Sequence, residues 1–244
     1  MLDERRIHVP TQKPVFDNRS DAGCQLAEKL RSYKNEPAIV LAIPNGGLPI
    51  SVPVALELGA ELDVVISRKL PIPLMPEGGF GAVADDGQPI YNQEVLQHIN
   101  LTDHQINYQI NKVRNDIQKR SLLYRSGRPL SIVNGKIAII VDDGLASGYT
   151  MMAAVESVRR RKPKNIVVAV PTGSATAIKN LEKLSVRVVV VAIGYAPRYY
   201  VSDFYKYWNV LSDDEGVRCL KDWHERFARP HMNYISPPDS NRRV

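Results

Sequence analysis

Cysteine is nearly absent: Cys24 and Cys219 are the only two in 244 residues, far apart and in no CxxC pair. That excludes a disulfide framework and a thiolate zinc site, and it fits a reducing, cytoplasmic compartment. Histidine is also sparse. His8, His98, His104, His224 and His231 show no metal-ligand spacing and read as surface or tail residues. No apolar run is long enough to cross a bilayer; the longest, around Val188–Ala192, falls far short of the ~20 residues a span needs. The opening MLDERRIHVP carries charges but no apolar h-region, so it does not read as a signal peptide. No internal repeat occurs. No large charge excess occurs either: the net charge is +6, from 32 Lys and Arg against 26 Asp and Glu. That excess does not make nucleic acid the expected partner, and it suits small polyanionic ligands. The densest cluster, RRRKPK (159–164), reads as a solvated helix end.

What is present is an ordinary globular mix, 44% apolar and 24% charged, enough for a sizeable core. Five β-branched or aliphatic runs stand out: AIVLAI (38–43), LDVVIS (62–67), IAIIVD (137–142), NIVVAV (165–170) and VRVVVVAI (186–193). None alternates strictly, as befits strands buried on both faces of a parallel sheet. Helical stretches separate most of them, at 48–58, 147–161 and 174–184, the last with Ser174 as its N-cap. The fold class expected is α/β, a doubly wound, mainly parallel sheet. Pro53 is expected to weaken or kink its helix.

A long insertion, 68–136, divides the second and third runs. It opens on RKLPIPLMPEGGFG, whose Pro and Gly predict a mobile loop over about 68–87. DDGQPIY then reads as a turn into a short strand. A long amphipathic helix is predicted over 102–125, capped by Thr102 or Asp103, with Ile106, Ile110, Val113 and Ile117 on one stripe. Residues 194–229 form an aromatic and then helical hood. The whole reads as one domain over 15–229, its core about 36–193, with poorly ordered tails at 1–14 and 230–244.

The most informative stretch is KIAIIVDDGLASGYTMMAAV, residues 136–155. It reads as a buried strand, two carboxylates, a loop of small residues and a helix. In an open α/β sheet, ligands bind at the carboxyl ends of strands, where Asp142 and Asp143 would sit. Gly144, Leu145, Ala146, Ser147, Gly148, Tyr149 and Thr150 then turn into the helix. Small residues let successive N–H groups share one concavity, and the helix N-terminus adds partial positive charge, which makes a phosphate cradle. The aspartates would repel a phosphate, but they can accept hydrogen bonds from vicinal hydroxyls or hold Mg²⁺ at one remove. Together these features point to a phosphorylated sugar. The plainer reading is a strand-to-helix turn whose Asp pair caps the helix.

IAIIVDDGLASGYTM resembles the phosphoribosyl-pyrophosphate (PRPP) signature of type I phosphoribosyltransferases. The similarity covers most of residues 16–213. GGLPISVPVALELGAELDVVISRKL, GFGAVADDG, YNQEVL and LYRSGRPL resemble a subgroup of predicted phosphoribosyltransferases whose substrates are generally unassigned. The resemblance implies transfer of ribose 5-phosphate from PRPP to a nucleobase nitrogen, with release of pyrophosphate. It implies that Ala146–Thr150 hold the 5′-phosphate, that Asp142 and Asp143 hold the ribose hydroxyls, and that Mg²⁺ arrives with PRPP. IPNGGLP (43–49) falls where the family has its pyrophosphate loop, often with a non-proline cis peptide, which would involve Asn45. Asn45, Gly46 and Gly47, with Arg68 and Lys69, are the implied pyrophosphate ligands; the subgroup usually carries Arg where this chain has Asn45. The segment 194–210 holds five of the eleven tyrosines. Its aromatic faces suit a flat base, and the resemblance puts Tyr199, Tyr200 and Val201 nearest to it, with Asp203 as a candidate acid or base. The alternative for that segment is subunit or subdomain packing. Ala146, where 6-oxopurine enzymes of the family carry Asp, makes the loop look more like adenine- and orotate-type enzymes. Type I relatives are commonly dimers or larger, so a homo-oligomer is expected. The alternative function is a non-catalytic regulator that senses PRPP or a 5′-nucleotide and binds nucleic acid.

Overall fold

The computed structural model describes residues 13–195 and 199–228. Most of both expected tails, with His8 and His231, and residues 196–198 of the hood segment lie outside the described residues.

In chain order the elements are α1 (Arg19–Lys29), β1 (Ala38–Ala42), α2 (Gly47–Leu58), β2 (Glu61–Val64), β3 (Ser67–Ile72), β4 (Met75–Ala84) and β5 (Pro89–Tyr91). There follow α3 (Gln93–His98), α4 (Asp103–Arg125), β6 (Ile137–Val141), α5 (Tyr149–Arg160), β7 (Asn165–Ser174), α6 (Ala175–Glu182), β8 (Arg187–Gly194) and α7 (Asp213–Ala228). All five apolar runs supply strands of one parallel sheet, ordered β2-β1-β6-β7-β8. β1 and β6 are buried at every position, which is why neither alternates. One apolar layer unites β1, β2 and β6 with α1, α2, α4 and α7; the other unites the opposite faces with α5 and α6.

The strand order reverses between β1 and β6, because the chain runs outward from β1 to β2 and then back past β1 to β6 and β7. That reversal opens a crevice at the carboxyl ends of those two strands, the usual ligand site of an open α/β sheet. The residues that follow β1 are Ile43–Gly47, and those that follow β6 are Asp142 and Asp143.

Three local expectations change in the folded chain. The Pro- and Gly-rich segment after Ser67 pairs as an antiparallel ribbon, β3 with β4, and with β5 makes a second, three-stranded sheet. Its pairing slips at Leu70/Pro71 and Pro71/Ile72, where proline cannot donate to the ladder. Helix α2 runs unbroken through Pro53. There α1 lies so close that a Cβ on Gly23 would sit 2.7 Å from the Ile50 carbonyl oxygen and 3.0 Å from the Pro53 ring. Helices α1 and α3 have no counterpart among the expected elements. Helix α4 does match its expectation: Thr102 and Gln105 form a capping box, and Ile110, Val113 and Ile117 are buried on one stripe.

Candidate active site

The signature stretch folds as a loop, and α5 begins only at Tyr149. Gly148 is the helix N-cap, with φ +83°, a left-handed conformation that glycine adopts without cost. No side chain caps the helix. Among the described residues, no group accepts a hydrogen bond from the backbone amides of Ala146–Thr150. Leu145 differs: its N–H donates to the Thr172 carbonyl at 3.0 Å, and its carbonyl accepts from Ser174 N–H at 2.9 Å. Ser174 buttresses the loop again, donating its hydroxyl to the Ala146 carbonyl at 2.7 Å while capping α6. The run left after Leu145 is Ala146–Thr150, the stretch that the resemblance implies for the phosphate. Leu145 anchors it to β7, and the amides from 146 onward remain for a ligand.

Two cavities meet at this loop. The larger, about 510 Å³, has the loop on one side and Gly79, Gly81, Asn92 and Val95 on the other, with Val201 at its edge. The smaller, about 400 Å³, is bounded by Ile43, Pro44, Ser67, Arg68 and Pro71. Lys69, Asp142 and Thr150 line both. The ribbon is pinned beside the loop by Ser67, whose hydroxyl donates to the Thr150 carbonyl at 2.8 Å. Asn92 and Val95, brought here by β5 and α3, fall in YNQEVL, one of the stretches that carry the resemblance, but the sequence assigns them no role; the ribbon's pairing sets them opposite the loop.

The two aspartates have different surroundings. Asp142 lines both cavities, and its carboxylate accepts from the Asp143 N–H at 2.8 Å. Burial, and then the neighbouring Asp143, holds its carboxyl well above the ordinary value of 3.8. Asp143 turns away from the cavities. Its Oδ2 accepts from Arg19 Nε at 3.0 Å and Nη2 at 2.9 Å. Burial raises its pKa, with the Arg19 guanidinium opposing that rise. Arg19 also donates to the Asn209 carbonyl at 2.9 Å and stacks 3.8 Å over the Trp208 ring. The Tyr205 hydroxyl donates to the Asp143 carbonyl at 2.7 Å. One acid lines both cavities, and the other fastens α1 and the 205–209 segment to the strand end.

The β1 turn contains a non-proline cis peptide, Pro44–Asn45, and so involves Asn45 as the resemblance implies. Gly46 and Gly47 serve close packing: a Cβ on Gly46 would overlap the Asp143 carboxylate at 1.9 Å, and one on Gly47 would lie 2.6 Å from the Val141 carbonyl oxygen. The Gly47 amide is already donated to the Ile43 carbonyl. The Asn45 side chain is engaged away from the cavities, by α4 and the Leu211 carbonyl. Arg68 lines the smaller cavity and pairs with Asp116 of α4 at 3.0 Å.

The expected base platform is oriented differently from the aromatic reading. Tyr199 lies over Gly194 and against Phe204, and its hydroxyl donates to Thr172 Oγ1 at 3.0 Å. Burial pushes that hydroxyl above the ordinary phenol range. Tyr200 is half exposed, Asp203 is buried, and of the four named residues only Val201 lines the larger cavity. The packing alternative describes Tyr199. The basic cluster at 159–164 is largely neutralised in place: Arg159 pairs with Glu156, Arg160 with Asp86 and Lys164 with Glu36, while Arg161 donates to the Ser131 carbonyl. Among the described residues there is no cluster of three or more His, Cys, Asp or Glu suited to a metal. No helix among them is long and apolar enough to cross a membrane.

Residues 82–214 match the family model described as the phosphoribosyl transferase domain. The chain belongs to the phosphoribosyl transferase family. TT1426 of Thermus thermophilus, known from a crystal structure, is 33% identical; the superposition covers 85% of this chain and 98% of that one, with a TM-score of 0.70. Two Mycobacterium tuberculosis proteins, from strains CDC 1551 and H37Rv, have phosphoribosyl transferase in their names and are 36% identical over 214 residues. Those residues are 88% of this chain and 48% of theirs, so the chain spans about half the length of the curated relatives it matches. The matched family segment contains the signature loop and the hood residues 199–211, while β1, its turn and Arg68 precede it.

Proposed function

We propose that the chain transfers ribose 5-phosphate from PRPP to a nucleobase nitrogen and releases pyrophosphate. The observation that carries this reading is the pair of adjoining cavities that share Lys69, Asp142 and Thr150. PRPP has one phosphate at one end of a ribose ring and a pyrophosphate at the other. The 5′-phosphate would take the amides of Ala146–Thr150 and the hydroxyls of Ser147 and Thr150, with the positive end of α5 behind them. The pyrophosphate would extend into the smaller cavity, toward the Asn45–Gly46 amides and the Arg68 and Lys69 side chains. The ribose would lie between, at Asp142.

In the reaction the base nitrogen forms a bond to C1′ as the C1′–O bond to pyrophosphate breaks, the bonding electron pair leaves with pyrophosphate, and the base gives up its N–H proton to water. C1′ becomes cation-like while the leaving group gains charge. Asp142 supplies negative potential beside the ring and accepts from a ribose hydroxyl; the basic groups stabilise the leaving group. Holding both ends of PRPP fixes C1′ for in-line attack. Asp143, bound to Arg19, orients the strand end and leaves the diol contact to Asp142.

The residues present fit Mg²⁺ brought by the substrate. Asp142 is a half-buried carboxylate lining both cavities, so it would hold the ion with the substrate's own oxygens and water. When bound, the ion neutralises charge on the departing pyrophosphate.

The test is incubation with PRPP, Mg²⁺ and a panel of purine and pyrimidine bases, following pyrophosphate release. Release that requires both PRPP and one class of base is expected. No release with any base, together with no heat on titration with PRPP and Mg²⁺, contradicts the proposal. Heat without release would favour the sensing role instead.

A further inference from the structure

The β1 turn, Ile43–Gly47, carries no cationic side chain of its own, yet it borders the cavity assigned above to pyrophosphate. Its one polar side chain, Asn45, is used in the opposite direction. Asn45 Oδ1 accepts from Arg120 Nη2 at 2.5 Å and from the Tyr124 hydroxyl at 2.6 Å, and Asn45 Nδ2 donates to the Leu211 carbonyl at 2.7 Å. Arg120 is itself anchored, with Nη1 2.8 Å from Asp213 Oδ1 at the start of α7. Arg120 and Tyr124 stand one turn apart on α4, at 9% and 2% exposure. On the other side of the turn, the Asp143 carboxylate occupies the space where a Gly46 Cβ would be. The turn is thus clamped between α4 and the end of β6.

The geometry points to Arg120 and Tyr124 as positioning residues for pyrophosphate. They touch no ligand. They fix Asn45, and through it the turn whose Ile43 and Pro44 line the smaller cavity; the adjoining Asn45 and Gly46 amides have no acceptor among the described groups. Two short hydrogen bonds, one charge-assisted, on a single half-buried acceptor define the side-chain amide's orientation closely. The desolvated environment supports this role for Tyr124, whose hydroxyl is pushed up to about 12, chiefly by burial, and stays a donor across the working pH range. A donor pair aimed at an anion loses much of its value when displaced by about 1 Å. Through this clamp the inserted helix α4 acts on the leaving-group half of the site and not on the half that holds the 5′-phosphate.

This inference rests on the assignment of the two cavities proposed above, and its test separates the two. Inorganic pyrophosphate with Mg²⁺, and ribose 5-phosphate alone, are titrated calorimetrically into wild type, Tyr124→Phe and Arg120→Gln. Tyr124→Phe keeps the ring that fills the core and removes only the donor, so it reports even if Arg120→Gln folds poorly. The expected result is a loss of pyrophosphate affinity of about 3–10-fold for Tyr124→Phe and at least about 10-fold for Arg120→Gln, with ribose 5-phosphate affinity within about twofold of wild type. Equal losses for both ligands, the signature of a purely structural role, overturn the inference, as does no loss for either. If wild type binds neither ligand, the cavity assignment itself fails, and the inference falls with it.

Discussion

Replacing Asp142 with Asn is expected to make the protein more stable and less able to bind PRPP. The carboxylate lies at a strand end, beside a second acid, with its pKa held well above 3.8 chiefly by burial. A group whose folded pKa lies above its unfolded value binds its proton more tightly in the folded state. Its stabilising contribution is complete below pH ~4 and is lost as the pH rises through the folded pKa. Above its folded pKa the ionised Asp142 is therefore a cost to the fold that Asn removes. Relief of this kind contributes about 0.5–2 kcal/mol, which for a chain of this size corresponds to a Tm increase of about 2–6 °C. The increase should grow as the pH rises through the raised folded pKa and should vanish toward pH ~4, where wild type is protonated in the folded state too. Over the same substitution, affinity for PRPP with Mg²⁺ should fall by about 10–100-fold, the value of a lost charge-assisted hydrogen bond. Thermal scans across pH, paired with calorimetry, check both halves. An Asn variant that is less stable at neutral pH, or that binds PRPP as wild type does, contradicts the role given to this residue.

The second large effect is expected at Arg19. Removing one partner of a buried ion pair leaves an uncompensated charge and costs about 3–5 kcal/mol. The Arg19 and Asp143 side chains are only 8% and 17% exposed, so solvent screens the pair little. Arg19→Met should therefore destabilise by that amount. Asp143→Asn should cost less, because Arg19 keeps the Asn209 carbonyl and the Trp208 face. The double variant Arg19→Met/Asp143→Asn should recover much of the loss, since neither charge is then stranded. Urea denaturation of the four proteins completes the cycle. A cost under about 1 kcal/mol for Arg19→Met, with no recovery in the double variant, would make the pair incidental.

The contrast between these two aspartates shows where the sequence stops being legible. IAIIVDD predicts a buried strand ending in two acids, and the fold agrees. Which acid faces the ligand depends on Arg19, which lies 124 residues away on a helix with no strong apolar stripe. No local pattern connects the two. The same applies to Asn45, whose orientation is set by α4 and residue 211. Residue type alone makes the tyrosines after Gly194 look like a base platform, but type does not give direction, and Tyr199 turns into the sheet. By contrast, the five parallel strands, the Thr102 cap, the Ser174 cap and the loop before α5 follow from short-range rules and fold as expected. The β3–β4 ribbon is hidden in the sequence because Pro and Gly, which ordinarily mark loops, here sit at the slips of an antiparallel pair.

The central claim is that the backbone from Ala146 to Thr150 receives the 5′-phosphate, and amide NMR during a titration with ribose 5-phosphate tests it most directly. The account predicts downfield shifts of the amide protons in that run, saturating together. The neighbouring Leu145 amide, already donated to the Thr172 carbonyl, should move little. Saturation by ribose 5-phosphate with the amides of that run unmoved, and shifts elsewhere, would contradict it.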